Sequence, residues 1–142
     1  MTEYDEILRD QAEKVKKALF HLRYSFEKVQ SLSFDVHTLS EEQLSDWESF
    51  VARFSRASDL FLSKYLRTYV LSQDPGFEGT FIDFLNRAVK LKLIKSMSEW
   101  RRIRDLRNKA AHEYDDDHLE AVFKEVRELT PTILELEKSL LS

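Results

Sequence analysis

The stretch EEQLSDWESFVARFSRASDLFLSKYLRTYV, residues 41–70, decides the fold class. Its apolar residues are Leu44, Trp47, Phe50, Val51, Phe54, Ala57, Leu60, Phe61, Tyr65, Leu66, Tyr69 and Val70. They recur at steps of three and four, the period of a helix with a buried face. The stripe is wide, so this helix is expected to meet more than one neighbour. Ser40 followed by Gln43 marks its start, because the hydroxyl can cap the helix and the amide can close a capping box. Asp74-Pro75-Gly76 is a turn that ends it near residue 73.

Outward from this helix the pattern repeats. Upstream, residues 3–30 carry Ile7, Gln11, Val15, Ala18, Leu19, Leu22, Phe26 and Val29 at helical spacing. Downstream, a third helix is expected over 80–93 with Phe81, Phe84, Leu85, Ala88, Val89 and Leu91 inward. Ser96 and Glu99 read as a second capping box opening a fourth helix near 97, which ends between Ala111 and Tyr114. Asp115, Asp116 and Asp117 cap a fifth, which runs to Leu141 with a kink at Pro131. The chain has two Gly and two Pro, so it has few breaks, and no alternating strand pattern occurs. Five helices on short connections predict an all-α antiparallel bundle of four to five helices, filling residues 1–142 as a single domain.

Composition excludes several classes of chemistry. There is no cysteine, so disulfides, thiol catalysis and cysteine-based zinc sites are ruled out. The opening MTEYDEILRD is acidic and does not read as a secretory signal. No apolar run approaches the roughly 20 residues that span a bilayer. A cytoplasmic protein without a membrane partner is expected. The net charge of −4 argues against a general nucleic-acid binder. The charge is uneven, however. Residues 90–109 hold eight basic and two acidic residues, a local net of +6, which leaves −10 for the remainder. One basic segment on an acidic chain is a place for phosphate to land.

At the end of that segment stands RNKAAHEY, residues 107–114. Arg107 offers a planar fork of donors suited to phosphate, and His112 exchanges protons near neutral pH. The pair suits RNA cleavage without a metal. The histidine would move a proton from a ribose 2′-hydroxyl or to the leaving oxygen, and the arginine would stabilise phosphate charge. Arg104 and Lys109, beside the motif, are candidate substrate contacts. On an ideal helix Asn108 and His112 share a face, whereas Arg107 and His112 diverge by roughly 140°. One chain would splay them. A two-fold pairing of this helix would gather two arginines and two histidines in one cleft, which argues for a homodimer. Against this stands the plain alternative that a lone Arg and a lone His on a helix are surface residues. His21, His37 and His118 have no comparable neighbours and read as structural or exposed.

Arg107, His112 and Tyr114 also spell R-x4-H-x-Y, and the chain here resembles HEPN domains of the HepT type. Asn108 supplies the polar residue that typically follows the arginine. Trp100 lies seven residues before Arg107, as in the branch described as nucleotidyltransferase substrate-binding proteins. FIDFLNRAVKLKLI at 81–94 resembles that branch's third helix, and WESFVARFSRASD at 47–59 its second. The resemblance covers about 40–130 and is sharpest over 100–114.

What it implies goes beyond composition. It implies a homodimeric helical bundle and a metal-independent endoribonuclease toxin that needs no cofactor. The toxin would be paired with a minimal nucleotidyltransferase antitoxin, in a type VII-like system. Arg107 and His112 would be catalytic and Asn108 supporting. Tyr114 would accept AMP from the partner and so be silenced, since the added phosphate would occupy the arginine's anion site. Asp83 falls where relatives carry an acidic residue on the third helix, and would pair with Arg107. Asp115 to Asp117 read as a helix cap. The competing expectation is a non-catalytic substrate- or nucleotide-binding subunit of a nucleotidyltransferase. A helical dimer without chemistry is the third.

Overall fold

Capping chemistry sets where this chain turns. The computed structural model describes residues 2–112 and 115–140. Helix α1 (Glu3–Lys28) opens on a reciprocal box in which Asp5 N–H donates to the Thr2 hydroxyl and Thr2 N–H to the Asp5 carboxylate. Ser40 and Gln43 form the expected box at the head of α2 (Glu41–Asp59). The rod then continues to residue 73, but not as uniform α-helix: a π turn, Leu60–Tyr65, stands between α2 and α3 (Leu66–Gln73).

Thr80 and Asp83 close a further box on α4 (Phe81–Lys90), and Gly79 makes room for it. A Cβ at Gly79 would lie 2.7 Å from the Asp83 side chain, closer than carbon atoms approach. Lys92 ends α4 with φ 64°, in the left-handed region usually filled by glycine. Leu93 N–H reaches back to the Ala88 carbonyl at 3.0 Å, which satisfies an orphan acceptor of the last turn.

The second expected box is only half formed. Ser96 caps α5 (Met97–Ala110) by accepting from Glu99 N–H at 3.2 Å. The Glu99 carboxylate instead accepts from the Thr132 hydroxyl at 3.2 Å, tying α5 to α6 (Asp116–Leu134). Asp115 caps α6 through His118 N–H at 3.0 Å, the role its position implied. The helix passes through Pro131, breaks at Glu135, one turn later, and resumes as α7 (Leu136–Ser139).

The described residues thus form an all-helical bundle of five rods. The α2–α3 rod is central. It packs on α1 along one side, on α5 and α6 along another, and α4 bridges α3 to α5. That accounts for its wide apolar stripe. Trp47 is fully buried and stacks on Phe123 of α6 at 4.7 Å, with Phe50 at 5.9 Å and Phe34 at 5.5 Å. Its ring N–H donates to the Ser33 carbonyl at 2.9 Å. A second cluster joins Phe61 to Trp100 of α5 at 4.7 Å. Burying each such ring stabilises the fold by about 1.5–3 kcal/mol. Among the described residues no helix is long and apolar enough to cross a membrane.

Candidate functional site

Arg107 lies in the last turn of α5 and reaches across to the end of α2. Its Nε and Nη2 each donate to one oxygen of Asp59 at 2.7 Å, a forked pair. The carboxylate beside it, through both hydrogen bonds and charge, holds the Arg107 guanidinium still more firmly protonated than usual. Asp59 is the last residue before the π turn. Single π turns recur at functional sites because the extra residue re-aims the side chains around it.

The pair forms one wall of an open cleft of about 520 Å³. Ser63 and Lys64 of the π turn, Phe81 of α4, and Arg104 and Asn108 of α5 complete it. Arg104 is laid flat over the Phe81 ring, 4.3 Å from its centroid. Its Nε is buried 3.4 Å from Asp105 Oδ1, close enough for an ion pair but without hydrogen-bond geometry. Lys64, Arg104 and Arg107 against Asp59 leave the lining with a net charge of +2. The cleft is therefore shaped to receive an anion, with an arginine fork fixed on two of its N–H groups and its remaining donors left for a ligand.

The other candidates fall elsewhere. His112 is exposed just beyond the end of α5, its backbone N–H on the Lys109 carbonyl at 3.0 Å, and it does not line the cleft. Lys109 is exposed and also outside the cleft. Tyr114 lies outside the described residues. Among the described residues no cluster of three His, Asp or Glu side chains is placed to share a metal ion.

No protein-family model matches the sequence, and no curated protein matches it. A solved structure does: HI0074 from Haemophilus influenzae, described as revealing the fold of a substrate-binding domain of a nucleotidyltransferase. The two superpose with a TM-score of 0.74 at 21% identity, over 92% of this chain and 99% of that one. This likeness establishes the fold.

The structure corrects one pairing expected from sequence. Asp83 does not hold Arg107. Its carboxylate accepts from the Thr80 N–H at 2.8 Å and the Thr80 hydroxyl at 3.0 Å, which lowers its pKa, and it serves as a helix cap. Asp59 holds the arginine instead. Sequence reasoning missed Asp59, Ser63 and Lys64. The available signal was Asp59 itself, the one carboxylate between Glu48 and Asp74, at the end of the 47–59 segment.

Proposed function

We propose that this protein is a metal-independent endoribonuclease of the HEPN HepT type. It would act in the cytoplasm as the toxin of a toxin–antitoxin pair, under the control of a minimal nucleotidyltransferase. The forked Arg107–Asp59 pair in a cleft of net positive charge carries the reading. It supplies a fixed phosphate-binding group five residues from a histidine. In this reading His112 takes the proton of a ribose 2′-hydroxyl, and the 2′-oxygen attacks the adjacent phosphorus. The bond to the 5′-oxygen breaks as that oxygen is protonated, leaving a 2′,3′-cyclic phosphate and a 5′-hydroxyl. Arg107 stabilises the charge on the phosphoryl oxygens, with Asn108 and Arg104 orienting the strand. His112 stands outside the cleft of its own chain, so the active unit is a homodimer in which the two motifs meet. Tyr114, two residues on, is the site at which the antitoxin's AMP silences the enzyme.

The test is cleavage of RNA by the purified protein in EDTA, with Arg107→Ala and His112→Ala as controls. Cleavage by wild type and a loss of at least 100-fold in either variant is expected. Equal activity in all three preparations would refute the reading.

A second reading rests on a separate observation. The fold matches a domain described as binding substrate for a nucleotidyltransferase. On that basis the same cleft would hold a nucleotide for a partner enzyme, with Arg107 on its phosphate and no cleavage. Tight nucleotide binding by a complex with the nucleotidyltransferase, with RNA left intact, would select it.

A further inference from the structure

Beside the cleft, between α1 and α2, runs a groove whose charge neither reading uses. It has a volume of about 740 Å³, and its polar lining is Lys14, Lys17, His21, Arg53 and Arg56, with no carboxylate. Lys14 is tied to Asp10 at 3.1 Å. Among the described residues Lys17, Arg53 and Arg56 have no ion-pair partner; Arg53 donates to the Ser25 hydroxyl at 2.8 Å. Elsewhere on these helices Lys16 is paired with Glu13, Lys28 with Asp46 and Arg23 with Glu137, while Arg9 has no ion pair among the described residues. Three of the four cations on α1 and α2 that lack an ion pair among the described residues thus line the groove.

Two aromatic rings flank it. Phe20 is 71% and Tyr24 59% exposed, one turn apart on α1, the largest exposures among the described bulky apolar side chains. The groove also adjoins the cleft. Leu60, at the head of the π turn, lines both, and the saddle between them is charge-balanced, with Lys14 and Lys64 facing Glu6 and Asp10.

Cations without ion-pair partners, exposed rings alongside and an adjoining cationic cleft are the parts of a single-strand binding surface. Such surfaces follow the backbone with charge and stack bases on aromatic side chains. An acidic peptide would meet the cations and leave the rings unused. A duplex would offer phosphates without free base faces. We propose that the α1–α2 groove is a track for single-stranded RNA. Lys17, Arg53 and Arg56 take its phosphates, Phe20 and Tyr24 stack its bases, and the strand is led to the Arg107 cleft. From Lys14 to Tyr24 the track runs about 15 Å along α1, room for several nucleotides. The proposal rests on the reading of the cleft as an RNA site.

The probe is a labelled 2′-O-methyl oligouridylate of roughly a dozen nucleotides, which lacks the nucleophile and stays whole in the presence of active enzyme. Anisotropy gives its affinity across a salt series. Sedimentation follows the oligomeric state, and cleavage of the dinucleotide uridylyl-uridine follows the cleft. Lys17→Glu with Arg56→Glu is expected to weaken the oligonucleotide by about tenfold or more. It should also lower the slope of log affinity against log salt by about 1.4, and leave dinucleotide cleavage unchanged. Phe20→Ala with Tyr24→Leu keeps every charge. It is expected to weaken the oligonucleotide about fivefold or more with the salt slope intact. Affinity unchanged in both double variants overturns the track. So does an affinity loss that follows loss of a dimer, which would make the groove a face between two copies. Wild-type protein that binds the oligonucleotide through the groove and cleaves nothing supports the track while removing the nuclease.

Discussion

Replacing Asp59 with alanine separates the structural and the functional worth of the Arg107 pair. The two hydrogen bonds are 2.7 Å each, and the side chains are 34% and 45% exposed. Charges about 4 Å apart attract by roughly 1 kcal/mol in water and 4 kcal/mol at an effective dielectric of 20. Exposure of a third or more keeps the pair near the lower figure, and the forked geometry lifts it above an ordinary surface pair. A coupling energy of about 1 kcal/mol is therefore expected from the cycle of Asp59→Ala, Arg107→Ala and the double variant, measured by urea unfolding. The melting temperature of Asp59→Ala should fall by about 2–4 °C.

On the proposed nuclease function the effect on rate should be larger, with Asp59 in the part of a positioning residue. Without it the guanidinium would lose its fixed plane and meet a phosphate in many poses. A misplacement of about 1 Å is worth up to 100-fold in rate. In single-turnover cleavage Asp59→Ala is expected to lower the chemical rate about 10- to 100-fold, with a smaller change in substrate affinity. A coupling energy within about 0.3 kcal/mol of zero would show that the pair holds nothing. A normal coupling energy with an unchanged chemical rate would sink the positioning role while leaving the ion pair in place.

Three other perturbations bear on the fold. Lys92→Gly removes a side chain from a left-handed position, φ 64°, and should raise stability by about 0.5–1 kcal/mol in chemical denaturation. Phe123→Ala empties the space beneath Trp47, where both rings are fully buried, and should lower stability by about 3–5 kcal/mol by the same measurement. The pKa of Asp83 is lowered by Thr80, first through its backbone N–H and then its hydroxyl. A depressed folded value favours the ionised native state, so this contribution is whole above about pH 4 and fades as the pH falls through the folded value. The acid limb of a stability–pH curve should therefore be shallower in Asp83→Asn than in wild type; parallel limbs would contradict the cap.

How much of this was readable in the residues differs from element to element. The box at Ser40 and Gln43, the cap at Asp115 and the turn at 74–76 are local, and local chemistry decided them. Glu99 was misread because its partner, Thr132, is distant in sequence and close only once α5 and α6 have packed. The pairing of Arg107 with Asp83 failed for the same reason. Asp59 and Asp83 are both carboxylates on helices near α5. Asp83 lies three residues past a threonine at a helix start, and that local partner claims it. Asp59 has no such neighbour and is left for the arginine. A check of capping boxes before assigning long-range pairs would have favoured it.

The π turn left a trace in the spacing that the periodicity count passed over. Ser58, Leu62, Leu66 and Val70 are all buried, and they are four residues apart each time. On an α-helix a step of four overshoots a full turn by about 40°, so three such steps would carry the last residue some 120° around the rod and out of the core. One extra residue in a turn takes back about 100°. The Leu60–Tyr65 turn therefore lets one rod keep both halves of its stripe facing inward. Its position has a chemical consequence. Asp59 stands immediately before the widened turn, and Ser63 and Lys64 within it line the same cleft. The packing problem of a long two-sided helix and the placement of the Arg107 carboxylate are thus answered by a single irregularity.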